Sequence, residues 1–120
     1  MSQSQIELLN ELTKESSLTQ IQEYIDKAVN MRGFADQPVQ EALLLLVEEV
    51  GELAKAIRIA CTKMSIDPDK IQNYGTLESE AADVFFVLTA ICNKMGVNLF
   101  NALKEKETKN CERDWKFSRD

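Results

Sequence analysis

Four carboxylates stand out in this sequence because each pair is set into an otherwise apolar helical stripe. Glu49 and Glu52 are three residues apart, as are Glu80 and Asp83, and residues at this spacing share one face of a helix. A buried carboxylate is costly unless a positive partner reaches it. Carboxylate oxygens are the ligands that hard cations such as Mg²⁺ prefer. The spacing therefore predicts a metal site between two helices, and it leaves open the alternative of charged rims solvated at the end of a bundle.

Two long helices are needed to carry these carboxylates. Residues 39–62 are rich in Leu, Ala, Glu and Lys and follow Pro38, which suits the first position of a helix. Residues 76–96 are predicted to form the partner helix, with Thr76 as its N-cap and Gly96 at its end. The first helix has a second apolar stripe, which predicts that it is central in the fold. This second stripe contains Leu43, Val47, Val50, Ala54 and Ile57.

The two acidic motifs together resemble the EExxE…ExxD signature of the MazG-like nucleoside triphosphate pyrophosphohydrolases, which are all-α NTP pyrophosphatases. In this chain they read Glu48-Glu49-x-x-Glu52 and Glu80-x-x-Asp83. The flanking residues are also similar, and the resemblance extends over residues 19–115. Each motif alone is weakly specific, whereas their order, spacing and flanks together are specific.

This resemblance implies an enzyme that cleaves nucleoside triphosphates, including noncanonical ones, between the α and β phosphates. The products are a nucleoside monophosphate and pyrophosphate. The implied metal ligands and catalytic residues are Glu49, Glu52, Glu80 and Asp83, with Mg²⁺ as the ion and Mn²⁺ able to substitute. Glu48 points to another side of the helix and is expected to support the site from outside the ligand set. One carboxylate could take the proton of the attacking water, and the sequence leaves open which one.

A third group of polar residues lies near the C-terminus. Lys106, Asn110 and Arg113 are spaced i, i+4, i+7 on one helical face. A Lys/Glu-rich segment is ordinarily a solvated helix end, but the K-x-x-x-N-x-x-R-x-W pattern is similar to one in many MazG-like proteins. That similarity implies that the three side chains bind the substrate phosphates. Trp115 is a candidate contact for the nucleobase, and Phe34 is expected to anchor its loop, with base stacking as the alternative.

Composition limits the class of protein. The chain has 120 residues, 44% hydrophobic content and a net charge of −6, which predicts a single domain over residues 1–120 and argues against a nucleic-acid partner. A nucleotide remains compatible, because a metal ion reverses the local field. There is no histidine, so His-based catalysis and His-ligated zinc are excluded. No signal peptide or apolar run of membrane length is present, and three scattered cysteines suit a reducing cytoplasm without membrane association.

The expected fold is an all-α, four-helix MazG-like bundle with a short additional N-terminal helix. Three helices cannot easily cover both apolar stripes of a fourth, so we expect a homodimer or homotetramer, with Gly51 near the subunit contact. Gly51 is expected to allow close approach of another helix. The segment Asn73-Tyr74-Gly75 is predicted to be a turn. The predicted helices lie near residues 3–14, 19–32, 39–62, 76–96 and 98–114.

Other functions remain open from the sequence. A non-catalytic helical module would use the apolar faces for a partner and the acids for solubility. A di-iron carboxylate bundle also pairs acids on helices, but it normally recruits Glu-x-x-His ligands, which this chain lacks. Within the favoured class, a dUTP or dCTP pyrophosphatase and a phosphoribosyl-ATP pyrophosphohydrolase are alternatives, because the sequence does not identify the base or sugar.

Overall fold

The computed structural model describes residues 3–70 and 75–115, and it confirms the predicted all-α class. Of these residues 68% are helical and none is in a strand. Asn73 and Tyr74 of the predicted turn lie outside the described residues. The helices are α1 (Gln5–Asn10), α2 (Leu18–Met31), α3 (Val39–Cys61), α4 (Leu77–Lys94) and α5 (Leu99–Cys111).

Side-chain caps determine where the helices begin. The Thr76 hydroxyl accepts a hydrogen bond from the Ser79 amide at 3.1 Å, and the Asn98 side chain accepts one from the Asn101 amide at 2.9 Å. These bonds satisfy amides that have no partner within the helix, and they confirm both predicted N-caps. Pro38 is itself the N-cap residue, with φ −60° and ψ 145°. It therefore lies one position before the first helical residue, Val39, and not at the first helical position that was predicted for it.

Glycines and a local turn determine where the helices end. Gly33 follows α2 with φ 85°, and Gly96 follows α4 with φ 70°, a left-handed conformation that glycine adopts without a Cβ clash. The helix predicted over residues 3–14 is shorter in the structure, where α1 ends at Asn10. Beyond it the Thr13 amide donates to the Ser16 hydroxyl at 2.9 Å, a side-chain bond that competes with continued helix.

Within the chain α2 packs against α1, α4 and α5, and α4 packs against α2 and α3, whereas α3 packs chiefly against α4 alone. The prediction that α3 is central is therefore wrong for the single chain. Small buried side chains allow the helices to approach closely. These are Ala28 of α2, Ala42 and Ala56 of α3, and Thr89 of α4.

A buried amide connects α2 to the corner between α4 and α5. Gln22, only 6% exposed, donates from Nε2 to Asn93 Oδ1 and to the Val97 carbonyl, both at 3.0 Å. Its Oε1 accepts from the Leu99 amide at 2.7 Å, in the first turn of α5. Asn93 in turn donates to the Gln22 carbonyl at 2.9 Å. The network fixes the start of α5, which turns 98° away from α4.

The second apolar stripe of α3, which we call the outer stripe (Leu43, Val47, Val50, Ala54 and Ile57), is exposed at every position. Gly51 beside it has open space, since no described atom lies within 4 Å of where its Cβ would be. The expected close approach of another helix to Gly51 is therefore not met among the described residues of the single chain. The radius of gyration is 17.9 Å, above the roughly 14 Å of a compact chain of this length.

In the described part of the chain, no single helix is long and apolar enough to cross a membrane.

Candidate metal centre and the adjoining cavity

Three carboxylates from α3 and α4 converge on one point. One carboxylate oxygen each of Glu49, Glu80 and Asp83 lies within 4.8 Å of those of the other two. Glu49 lies on the face of α3 that packs against α4, and the two α4 carboxylates lie one turn apart. The structure therefore brings together three of the four ligands that the sequence suggested.

The electrostatics of this cluster suit a cation. Burial raises the pKa of Glu49, and the neighbouring carboxylates of Asp83, Glu80, Glu52 and Glu48 raise it further, in that order. Glu80 is only 8% exposed. Within residues 3–70 and 75–115, no salt bridge joins the three clustered carboxylates to a lysine or arginine. Converging oxygen donors of like charge fit a hard divalent cation, which relieves their repulsion.

Glu52 and Glu48 lie near the cluster but outside it. Glu52 Oε1 is 3.5 Å from the ammonium of Lys55, three residues further along α3. Its carboxylate is not part of the group that converges within 4.8 Å. Glu48 is exposed and acts on the cluster through its charge. The roles of Glu52 as ligand and Glu48 as support from outside the ligand set stay predictions.

A cavity of about 390 Å³ adjoins the cluster, and Glu49 and Asp83 form part of its lining. Its walls come from the end of α2, the loop after it, α3 and α4. The volume lies in the range of small-molecule sites, which are mostly apolar with a few placed polar groups. The apolar lining includes Val29, Phe34, Leu45, Phe86, Val87 and Ala90.

Two cationic side chains on the cavity wall were missed by the sequence analysis. The guanidinium carbon of Arg32 lies 4.7 Å from the centroid of the Phe86 ring, a cation–π distance. The Lys94 ammonium donates to the carbonyls of Phe34 at 3.3 Å and Ala35 at 3.2 Å, which ties the loop to α4. For Lys94 the sequence did contain a signal. Phe86 and Lys94 lie at i+3 and i+11 from Asp83, on the same helical stripe, so Lys94 could have been placed on the face that carries the carboxylate.

Phe34 lies on the cavity wall with its ring exposed to solvent. Its main-chain carbonyl is the atom that Lys94 holds. The loop is therefore anchored by a backbone contact, which leaves the ring available. The prediction of a contact between this ring and the nucleobase stays a prediction.

The C-terminal polar group lies elsewhere. Trp115 Nε1 donates to the Asn110 carbonyl at 2.8 Å, and the guanidinium of Arg113 is 5.8 Å from the Trp115 ring centroid. Lys106 is exposed. Helix α5 packs against α2, and no described α5 residue lines the cavity beside Glu49. The structure thus places Asn110, Arg113 and Trp115 near one another and away from the cavity beside the carboxylates of the same chain, whereas Phe34, the other predicted base contact, lines that cavity.

These features define an all-α protein with a candidate carboxylate metal centre beside a cavity of small-molecule size. Residues 37–117 match the MazG nucleotide pyrophosphohydrolase domain, a span that includes α3, α4 and α5. The chain therefore belongs to the MazG nucleotide pyrophosphohydrolase family, as the two acidic motifs indicated. No curated protein matches it.

Proposed function

We propose that this protein is a Mg²⁺-dependent nucleoside triphosphate pyrophosphohydrolase, with Mn²⁺ able to replace Mg²⁺. The observation that carries the proposal is the convergence of Glu49, Glu80 and Asp83 within 4.8 Å, beside a cavity, in a chain of the MazG family. In the reaction a water oxygen bonds to the α-phosphorus, and the bond from that phosphorus to the α–β bridging oxygen breaks. Pyrophosphate leaves, the nucleoside monophosphate remains, and the proton of the water passes to a nearby carboxylate or to solvent.

The carboxylates hold the ion and shape its surroundings. Glu49 from α3 with Glu80 and Asp83 from α4 would bind it, and Glu52 would join after turning away from Lys55. When bound, Mg²⁺ offsets the charge of the phosphates and polarises the α-phosphate for attack by water. Because three oxygens come from two packed helices, their positions are set by the α3–α4 contact. That rigidity keeps the site organised before substrate arrives.

The nucleoside end of the substrate occupies the cavity. Its apolar walls suit the faces of a base, and the Phe34 ring lies at its edge. The Arg32 guanidinium, held against Phe86, can donate hydrogen bonds to acceptor atoms on a base or sugar. Gln37, which also lines the cavity, offers both a donor and an acceptor. These polar groups are the ones that distinguish between nucleotides.

The active form is a homodimer or homotetramer in which the outer stripe of α3 lies in the subunit contact. The exposure of this stripe at every position supports the proposal. Lys106 and Asn110 of α5, and Arg113 just beyond its end, then contact the phosphates at the site of another subunit, since none of the three lines the cavity of its own chain. An arginine fork and a lysine ammonium are suited to phosphate oxygens.

The same chemistry argues for small nucleotides as substrates, and not for nucleic acid. The net charge of −6 repels a polyanion that needs a basic surface, whereas a single triphosphate is neutralised by a bound ion.

The cysteines at 61, 92 and 111 form no disulfide, which agrees with an enzyme of the reducing cytoplasm.

The test is a phosphate-release assay over a panel of canonical and modified NTPs and dNTPs. We expect phosphate only when Mg²⁺ and added inorganic pyrophosphatase are both present, because the enzyme itself releases pyrophosphate. Reactions without the added pyrophosphatase are one control. Because the pyrophosphatase itself needs Mg²⁺, the metal dependence is measured from the nucleoside monophosphate formed with and without EDTA. Phosphate released without pyrophosphatase, or no turnover over the whole panel, would contradict the proposal.

A further inference from the structure

The carboxylate of Glu80 lies against the main chain of Gly75, just before α4. A β-carbon at position 75 would overlap with Glu80 Oε1 and would lie 2.9 Å from the carboxyl carbon. Real β-carbons essentially never come this close to another atom. Glu80 therefore occupies space that only a glycine at this position leaves open.

The backbone at position 75 gives no other reason for a glycine. The positive-φ glycines among the described residues are Gly33 and Gly96, so the conformation of Gly75 is open to other residues. Gly51 offers a comparison within the chain, because no described atom lies within 4 Å of its Cβ position. What distinguishes Gly75 is the Glu80 carboxylate.

An alanine at position 75 would therefore displace the end of the Glu80 side chain and leave the main chain in place. The start of α4 is held by the Thr76 cap and by the hydrogen bond from the Glu80 amide to the Thr76 carbonyl at 3.0 Å. The atoms in the way are the far end of the flexible Glu80 side chain, which shifts at lower cost than main chain does. The displaced carboxylate would leave the group it forms with Glu49 and Asp83.

We propose that Gly75 is a positioning residue of the metal centre, because its missing side chain lets the Glu80 carboxylate lie beside Glu49 and Asp83. This inference rests on the proposed metal site. It assigns a function to a residue outside the two acidic motifs. It also ties the geometry of the centre to the segment that leads into α4.

The experiment measures Mn²⁺ binding by electron paramagnetic resonance, together with the melting temperature without metal. The proteins are the wild type, Gly75→Ala, Glu80→Gln, the double variant and Ser79→Ala, whose exposed side chain is on the same turn as Glu80. We expect Gly75→Ala to weaken Mn²⁺ binding by about 10- to 100-fold, as for other residues that orient metal ligands. Its metal-free melting temperature should stay the same or rise slightly, since alanine restricts the unfolded chain. Ser79→Ala should match the wild type.

The double variant shows whether Gly75 acts through Glu80. If it does, Gly75→Ala causes no further loss of Mn²⁺ binding when Glu80→Gln is already present. Additive losses would overturn the inference, as would wild-type Mn²⁺ binding by Gly75→Ala or a large drop in its metal-free melting temperature. A wild-type protein that binds no Mn²⁺ would overturn the metal site itself, and this inference with it.

Discussion

The surroundings of Glu49 disfavour the negatively charged form of its carboxyl group. Burial and four neighbouring carboxylates raise its pKa above the ordinary value of 4.5. A carboxyl with a raised pKa binds its proton more tightly in the folded state than in the unfolded state. Without metal, it therefore lowers the free energy of unfolding as pH rises from about 4.5 through the raised pKa. A bound divalent cation removes this opposition.

Replacing Glu49 by Gln keeps the volume of the side chain and removes its charge. We expect the metal-free melting temperature near neutral pH to stay the same or rise, and its decrease with pH above 4.5 to become smaller. Pyrophosphohydrolase activity should fall by on the order of 10²-fold or more, as when an electrostatic partner of the transition state is lost. Melting curves over pH and steady-state kinetics measure both effects.

Glu41→Gln is the control for this substitution, because Glu41 is exposed at the start of the same helix. It should leave activity unchanged. An active Glu49→Gln variant, or one that is clearly less stable than the wild type without metal, would contradict the assigned role of Glu49.

The carboxylates could be found from the sequence because helical spacing is a local property. Glu49, Glu80 and Asp83 follow from apolar periodicity and from the family motif. The placement of Glu52 could not be predicted, since it depends on a side-chain contact with Lys55. Glu52 Oε1 lies 3.5 Å from the Lys55 ammonium. The contact of Arg32 with Phe86 joins residues far apart in the chain, so helical periodicity could not pair them.

At the scale of elements, most ends of the helices were predictable, the end of α1 being an exception, and the mutual arrangement of the helices was not. Thr76 and Asn98 form the expected caps, and glycines with positive φ end α2 and α4. These signals depend on hydrogen bonds between residues a few positions apart. The direction of α5 instead depends on Gln22, which bonds to residues 71 to 77 positions away. A polar residue in an amphipathic helix gives no sign of such a partner.

Gln22→Ala tests whether this amide holds α5 in place. The substitution removes the partner of the Leu99 amide, of the Val97 carbonyl and of Asn93 Oδ1, at a cost of about 1–3 kcal/mol for polar groups left unsatisfied. We expect a lower midpoint of urea unfolding by an amount of this order. The matched control is Gln40→Ala, at an exposed position of α3. Equal effects of the two substitutions would show that the buried network does not stabilise the fold.

At the scale of the whole molecule, the described part of the chain exposes a run of apolar side chains along one face of α3. The outer stripe is exposed along α3, and α5 turns away from α4. Contiguous apolar surface of this kind marks an interaction site. The sequence showed two apolar stripes on α3, and it could not show that the chain would cover only one of them.

Val47→Glu tests the outer stripe as the subunit contact. Val47 is 63% exposed in the single chain, so a glutamate there costs a monomer little, whereas it places a charge in an apolar interface. We expect the wild type to be a dimer or larger by light scattering at micromolar concentration, and the variant to shift toward monomer. Ile6→Glu is the control, since Ile6 is similarly exposed at 61% but lies on α1. A monomeric wild type would contradict the prediction.

Mixing two impaired variants tests whether Arg113, just beyond the end of α5, acts at the site of another subunit. Glu80→Gln removes a carboxylate and Arg113→Ala removes a phosphate contact, while Arg113→Ala alone should keep its stabilisation by Mg²⁺. In a mixed dimer, one site has both intact residues if they come from different subunits. After random exchange between dimers, we expect recovery of up to about a quarter of wild-type activity. No recovery despite proven exchange would place Arg113 in its own subunit's site or outside the reaction.

The central claim is that water attacks the α-phosphorus at a site that depends on Glu80. Hydrolysis in ¹⁸O-labelled water tests this claim most directly. The substrate is the nucleotide turned over fastest in the panel, with Mg²⁺, and the products are analysed by ³¹P nuclear magnetic resonance. We predict that the label appears in the nucleoside monophosphate and is absent from pyrophosphate, and that Glu80→Gln forms neither product at a comparable rate. Label in pyrophosphate, a nucleoside diphosphate product, or full Mg²⁺-dependent activity of Glu80→Gln would contradict the proposed reaction and its site.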